Sequence, residues 1–328
     1  MSEPATVLVT GAAGYVGSLV VRALAGDPAF RVVAADVRKA PADRYAQGVE
    51  QVVADVRSPE MVALCLRTRP QSVVHLASIV TPGKHSSREF EYSVDVLGTE
   101  NLLSACLAAG VRQIVVTSSG AAYGYHADNP ALLTEEHPLR GNDSFAYSRH
   151  KRLVEEMLAR YRSQHPKLRQ LIFRPGTILG EGTRNQITAL FRKPRILGIR
   201  GSDSPFVFIW DQDVVAVIVR GVTTGVSGIY NLAGDGAMSL AEIARVLGKP
   251  YLSLPAWLVR SALALAKPLG LTAYGPEQVD FIRYRPVLGN RRLKEEFGYT
   301  PRKTSREAFE VFARSLAHSG EQSAVSNG

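Results

Sequence analysis

A doubly wound parallel α/β sheet with a smaller C-terminal α/β region is predicted by three features of the 328-residue chain. Apolar runs alternate with helical patterns from Val7 to Thr117, the arrangement that right-handed βαβ crossovers produce. The first apolar run breaks into Gly11, Gly14 and Gly17, and the second ends in Asp36, about 20 residues after the last of these glycines. A hydroxyl, a phenol and an ammonium then follow as Ser119, Tyr147 and Lys151.

Val7 to Thr10 suits a buried parallel strand, and Ser18 to Leu24 carries the apolar recurrence of an amphipathic helix. Between them lies Gly11-Ala12-Ala13-Gly14-Tyr15-Val16-Gly17. Glycine adopts positive φ and admits a ligand close to the backbone, and the positive end of the helix dipole favours a pyrophosphate. Arg31 to Asp36 is the second strand; Asp36, with Val37 and Arg38 behind it, stands where a dinucleotide fold offers an acid to the adenosine ribose. Glu50 to Asp55 is the third. Its end, Asp55-Val56, either meets the adenine edge or, with Ser58, caps the next helix, Pro59 to Arg69. Ser72 to Ser78 is the fourth strand, where Leu76, Ala77 and Ser78 let a cofactor lie against the backbone and His75 reads as a buried strand residue. Ser93 to Ala109 is a long helix, and Gln113 to Thr117 the fifth strand.

The chemistry follows. Thr117 runs into Ser118-Ser119 and on to Tyr123-Gly124, which places hydroxyls at the carboxyl end of a parallel strand, where open α/β sheets bind ligands. After a polar loop, Tyr147 and Lys151 open a helix at i and i+4, on one face. An ammonium there is expected to lower the phenol's pKa. A phenolate of this kind accepts a proton from an alcohol being oxidised, and the phenol donates one in reduction.

Net charge is +9 and the pI about 9.6, but Lys and Arg are scattered, so the excess reads as solvated faces plus an attraction for anionic ligands and not as a nucleic-acid surface. Cys65 and Cys106 fall in helix-like apolar patterns without metal or redox spacing; they read as small core residues in a reducing compartment, and no metal site is expected. The first strand begins close to Met1, and no apolar stretch reaches spanning length. A cytoplasmic location without stable membrane insertion is the expectation.

The chain resembles the extended short-chain dehydrogenases, the NAD-dependent epimerase/dehydratase group, over Val7 to about Phe312. The likeness is carried by Gly11-x-x-Gly14-x-x-Gly17, Asp36, Asp55, His75-Leu76-Ala77-Ser78, Gly98-Thr99-x-Asn101-Leu102, Ser119-x-x-x-Tyr123-Gly124, Tyr147-x-x-x-Lys151 and Arg174-Pro175. It implies a Rossmann fold in which Ser119 polarises a carbonyl, Tyr147 transfers the proton, and Lys151 holds the nicotinamide ribose as well as tuning Tyr147. Ser118 is the substitute hydroxyl. Pro175, in Arg174-Pro175-Gly176-Thr177, would pass beneath the nicotinamide, and Tyr123, Thr177 and Phe206 are candidates for the substrate side. The resemblance also implies a homodimer through residues 93–109 and 147–163.

Two departures stand out. Asp95 replaces the Asn of the family's Asn-x-x-Gly-Thr run, and Phe206 occupies the position at which relatives that epimerise UDP-hexoses carry a diphosphate-gripping Arg.

The second half has Asn185 to Phe191 as a short helix, Phe206 to Ile209 as a strand, Asp213 as a cap opening the next helix, Gly228 to Leu232 as a strand, and a capping box at Ser239 and Glu242. Leu254 to Lys267 is a markedly apolar helix, read in the first place as packed over the substrate pocket and otherwise as an interfacial patch. Residues 1–175 are thus expected to form mainly the dinucleotide-binding part with the Ser, Tyr and Lys set. Residues 176–316 form mainly the substrate part, with strands free to return to the first sheet, and 317–328 a polar, disordered tail.

The leading function is an NAD(P)-dependent oxidoreductase or epimerase moving hydride at a secondary alcohol or ketone of a small molecule. Asp36 favours NAD, because a carboxylate repels the 2′-phosphate of NADP; Arg38 and Lys39 keep NADP open. Two other readings stand beside it: a reductase or dehydrogenase of a lipophilic, sterol-like alcohol, and a catalytically silent dinucleotide sensor.

Overall fold

The computed structural model describes residues 3–41, 43–83, 86–203, 205–272 and 275–325, with side chains described up to 317. The chain divides into two compact units. The first comprises Met1–Ala122, Phe145–Arg174 and Asp211–Tyr230; the second comprises Tyr123–Ser144, Pro175–Trp210 and Asn231–Gly328. The chain leaves the first unit at Tyr123, re-enters at Phe145, leaves again at Pro175, and returns over Asp211–Tyr230 with the helix Asp211–Thr224 and the first residues of the strand Gly228–Leu232.

The first unit holds strands β1 (Ala5–Thr10), β2 (Phe30–Asp36), β3 (Glu50–Val53), β4 (Ser72–His75), β5 (Gln113–Thr117) and β6 (Arg169–Pro175). Its helices are α1 (Tyr15–Ala25), α2 (Pro59–Thr68), α3 (Arg88–Tyr92), α4 (Gly98–Ala108) and α5 (Ala146–Gln164). The sheet has seven strands, ordered from the strand Gly228–Leu232 through β6, β5, β4, β1 and β2 to β3. β1 to β6 pair in parallel, with Val9 opposite both Ala34 of β2 and Val74 of β4. Strand order reverses between β1 and β4. The crossovers diverge there, and the carboxyl ends of the strands at such a point are where open α/β sheets bind ligands.

The interior strand residues are Val, Ile, Leu and Ala, as a sheet covered on both faces requires. Leu8, Val73, Ile114 and Ile172 pack with Leu102, Leu103 and Leu158 of the flanking helices. Cys65 and Cys106 are free thiols buried in this core.

The second unit has two small parallel sheets, Thr177–Leu179 with Phe208–Trp210 and Ile196–Ile199 with Tyr251–Leu254. Its core is an aromatic cluster in which Phe191 stands edge-on to Phe206, Phe208, Phe309 and Phe312 at centroid distances of 5.4–6.3 Å. The capping box at Ser239 and Glu242 forms as the spacing predicts. Two expectations change. The C-terminal helix runs Ser305–Val325, through most of the stretch whose polar composition predicted disorder, while 326–328 lie outside the described residues. The apolar helix, Ala256–Ala266, packs through one side only, burying Val259 and leaving Trp257, Leu258 and Leu265 exposed.

Candidate active site

The glycine turn follows β1 directly. Gly11 has φ +68°, and a Cβ there would stand 2.6 Å from the Ala77 backbone nitrogen; a Cβ on Gly17 would strike the Gly11 carbonyl. The segment Leu76-Ala77-Ser78 after β4 is therefore drawn against the turn by the absence of side chains. Gly14 is the N-cap of α1 and no side chain caps it, so the first-turn N–H groups, those of Val16 and Gly17 among them, are left without a side-chain acceptor. Asp36, ending β2, accepts from Ala13 N at 3.0 Å and from Arg38 N at 3.2 Å, and Val37 beside it is exposed. The carboxylate thus fixes the turn with part of its acceptor capacity.

Tyr45 donates to the Ala12 carbonyl at 2.7 Å, a second strut that no local pattern announces. Tyr15 donates to Asp211 at 2.5 Å and so ties α1 to the helix Asp211–Thr224; its hydroxyl serves this contact. Asp55 is held by Arg57 at 2.6 Å, and the guanidinium keeps its carboxyl below the usual range. Arg57 also lies 4.9 Å over the Phe90 ring. Val56 is buried against Gly98, with its carbonyl accepting from Asn101, so its side chain belongs to the core and not to a cofactor surface.

The reactive groups converge at the carboxyl end of β5. Ser119 is half-buried and hydrogen-bonded with Tyr147, which is half-buried at the start of α5. Lys151, one turn on and buried, places its Nζ 5.5 Å from the Tyr147 ring centroid and donates to the Thr117 carbonyl at 3.1 Å. Burial pushes the Tyr147 phenol up to about 12, helped by the Asp95 charge, while the Ser119 hydrogen bond pulls the other way. The expected lowering by Lys151 is absent because the ammonium sits beside the ring and desolvation outweighs the rest. The same burial lowers Lys151, against the charges of Asp95 and Glu155.

Behind this set, a π-helical turn, Ser93–Leu97, joins α3 to α4 and points Asp95 inward. Asp95 accepts from Ser78 Oγ at 3.0 Å and Ile79 N at 2.9 Å, and pairs with His150 Nδ1 at 3.0 Å; all but Ser78 and Ile79 are buried. The carboxylate thus ties the π-helical turn to Ser78, Ile79 and His150 with both of its oxygens. Ser78 is occupied by this contact.

His75 is buried, as the strand reading requires, bridging Thr10 at 2.8 Å and Thr99 at 3.0 Å. Burial, reinforced by Lys151, lowers it to about 3 from an ordinary 6.5. Between those values the unfolded chain binds a proton that the folded chain refuses, so stability falls as pH drops through the window, by about 1.4 kcal/mol per unit from this group. Urea unfolding followed from about pH 7 to about pH 5 is expected to show that slope, reduced in His75→Gln; equal slopes in both proteins would refute the assignment.

Three candidates are corrected by burial. Ser118 donates to Glu155 at 2.5 Å within a buried network completed by Arg174, so it is not an alternative to Ser119. Tyr123 is buried in the second unit and donates to Asn231 at 2.8 Å. Phe206 belongs to the aromatic core. Pro175 ends β6, buried, and Thr177 is half-buried in the second unit.

One residue of that unit escaped sequence reading. Arg285 lies 3.9 Å over the Phe206 ring, with Thr177 Oγ1 3.5 Å from its Nη2, and burial lowers its pKa. It forms no ion pair with a carboxylate among the described residues. Its only sequence signal is Arg285-Pro286 in a stretch without periodicity.

The profile of the NAD dependent epimerase/dehydratase family matches residues 7–233. An uncharacterized protein of Mycobacterium tuberculosis (strain ATCC 25618 / H37Rv) is 26% identical over 315 residues, covering 95% of this chain and 84% of the relative. The UDP-glucose 4-epimerase of Mycolicibacterium smegmatis is 27% identical over 312 residues, covering 90% of this chain and 93% of that protein. Among solved structures, the UDP-glucose 4-epimerase of Thermus thermophilus in complex with NAD superposes with a TM-score of 0.73 at 23% identity, over 95% of this chain and 99% of the other. That likeness establishes the fold.

Proposed function

Because the chain belongs to the NAD-dependent epimerase/dehydratase family, we propose that it binds NAD through its first unit and moves hydride reversibly at a secondary alcohol or ketone. The observation that carries this reading is the convergence of Ser119, Tyr147 and Lys151 at the end of β5. The glycine turn fits a dinucleotide: Gly11 and Gly17 allow a tight turn in which any Cβ would strike the backbone of Ala77 or of Gly11, α1 offers uncapped N–H groups, and Asp36 is placed for ribose hydroxyls. When bound, the nicotinamide supplies the hydride acceptor or donor.

Ser119 orients and polarises the substrate oxygen. Tyr147, kept protonated at neutral pH by its raised pKa, donates to the oxygen of a ketone being reduced and takes the proton back when the alcohol is oxidised. Lys151, with its Nζ 5.5 Å from the Tyr147 ring centroid, holds the nicotinamide ribose. Asp55, Leu76, Ala77 and Pro175 remain in this reading as surfaces along the cofactor.

The second unit supports a substrate bearing phosphate or carboxylate, because Arg285 offers a half-buried guanidinium braced on an aromatic ring. Nucleotide sugars carry such a group, as the substrate named for the epimerase relatives illustrates. The lipophilic-alcohol reading loses both of its supports, since Phe206 is core and the apolar helix is exposed. Homodimerisation through residues 93–109 and 147–163 belongs to the same proposal.

A panel of nucleotide sugars, simple ketones and sterols, followed by nicotinamide absorbance and by product stereochemistry, tests the function. Turnover or epimerisation of an anionic member is expected, with Arg285→Ala raising KM. Turnover of sterols alone would overturn the substrate class.

A further inference from the structure

The helix Ala256–Ala266 is apolar on two sides. One side packs: Val259 and Leu263, with Ala256, meet Ile199, Val279 and Ile282. At 3.6 residues per turn, Trp257, Leu258, Ala262 and Leu265 fall together on the opposite side. That side is open. Trp257 is 68% exposed and Leu265 71%, and the turn that follows adds Leu269 at 72% and Leu271 at 76%. A helix facing water alone carries charge at such positions.

Two stretches of chain beside it are free of acids. Residues 243–276 contain Arg245, Lys249, Arg260 and Lys267 and no acid, and residues 182–202 contain Arg184, Arg192, Lys193, Arg195 and Arg200 and no acid. The two segments meet in the small sheet, where Ile196–Ile199 pairs with Tyr251–Leu254 and Arg200 N donates to the Leu254 carbonyl at 2.8 Å, at the start of the helix. Arg260 and Lys267 are paired with Asp280 and Glu277 on the packed side. Lys193, Arg195 and Arg200 are exposed and have no ion pair among the described residues.

We propose that this face of the second unit is a peripheral docking surface for an anionic phospholipid bilayer. Trp257, Leu258, Leu265, Leu269 and Leu271 enter the boundary between headgroups and acyl chains, and Lys193, Arg195 and Arg200 meet lipid phosphates. The helix lies in the plane: its 11 residues span about half the thickness of a hydrocarbon core, and among the described residues no helix is long and apolar enough to cross a membrane. A second copy of the chain is the poorer occupant, because a two-fold contact here sets the basic rim against itself.

Flotation of the full chain with vesicles tests this. Binding to phosphatidylcholine vesicles containing phosphatidylglycerol is expected, with a blue shift of Trp257 emission, and little binding to phosphatidylcholine alone. Trp257→Ser with Leu265→Ser should weaken binding at least about tenfold, from the apolar area withheld. Arg195→Ser with Arg200→Ser should weaken it and flatten its salt dependence, and this pair carries the test if the apolar variant does not fold. No binding to anionic vesicles, or binding unchanged in both variants, would overturn the proposal. So would a lipid-free self-association that the apolar variant abolishes, which would make the face an interface between copies.

Discussion

Tyr147→Phe is expected to lower turnover by about 10²–10⁴-fold while leaving dinucleotide binding nearly unchanged. The substitution removes one oxygen, the atom that is hydrogen-bonded with Ser119, and keeps the ring beside Lys151. The glycine turn and Asp36 lie on other elements, so their grip on a cofactor does not depend on the phenol. Steady-state rates and a binding titration on the same preparation separate the two effects. Full activity in the variant would remove Tyr147 from the proton transfer. A wild-type chain that binds the dinucleotide tightly and turns over no member of the substrate panel would favour the silent sensor.

The second large effect is on stability. Arg174→Met is expected to cost about 3–5 kcal/mol, because it leaves the Glu155 carboxylate buried without its cation. Arg174 reaches Glu155 through Nη2 at 2.6 Å and Nε at 2.9 Å, and Ser118 completes the set; all three side chains are buried. Replacing both charges, as Arg174→Met with Glu155→Met, should recover most of the loss, since the desolvation cost disappears with the pair. Urea unfolding of the three variants reads this. A single variant within about 1 kcal/mol of wild type would contradict the buried-pair account.

Much of the first unit was legible because local sequence dictates it. The alternation of strands and helices, the glycine turn, Asp36, and the i, i+4 pair Tyr147 and Lys151 are short-range patterns, and the fold preserves them. What was not legible depends on contacts between residues far apart in sequence. Tyr45 finds Ala12, Tyr15 finds Asp211, and Ser118 finds Glu155, pairings with no fixed spacing to reveal them. The direction of the Tyr147 shift failed for the same reason: helical spacing places Lys151 near the ring, but burial and the distant Asp95 set the sign. Arg285 became visible only once folding set it over Phe206. Leu254 to Lys267 misled in the other direction, because an apolar pattern records hydrophobicity and not whether protein covers it.

The central claim is that the turn Gly11 to Gly17 with Asp36 is an NAD site. Fluorescence titration of the pure protein with NADH and with NADPH tests it most directly, with Gly17→Val as the control that breaks the turn by driving a side chain into the Gly11 carbonyl. Tighter binding of NADH than of NADPH is expected, with loss of both in Gly17→Val. Absence of NADH binding in wild type, unaltered binding in Gly17→Val, or clearly tighter NADPH binding that Arg38→Ala abolishes would contradict it.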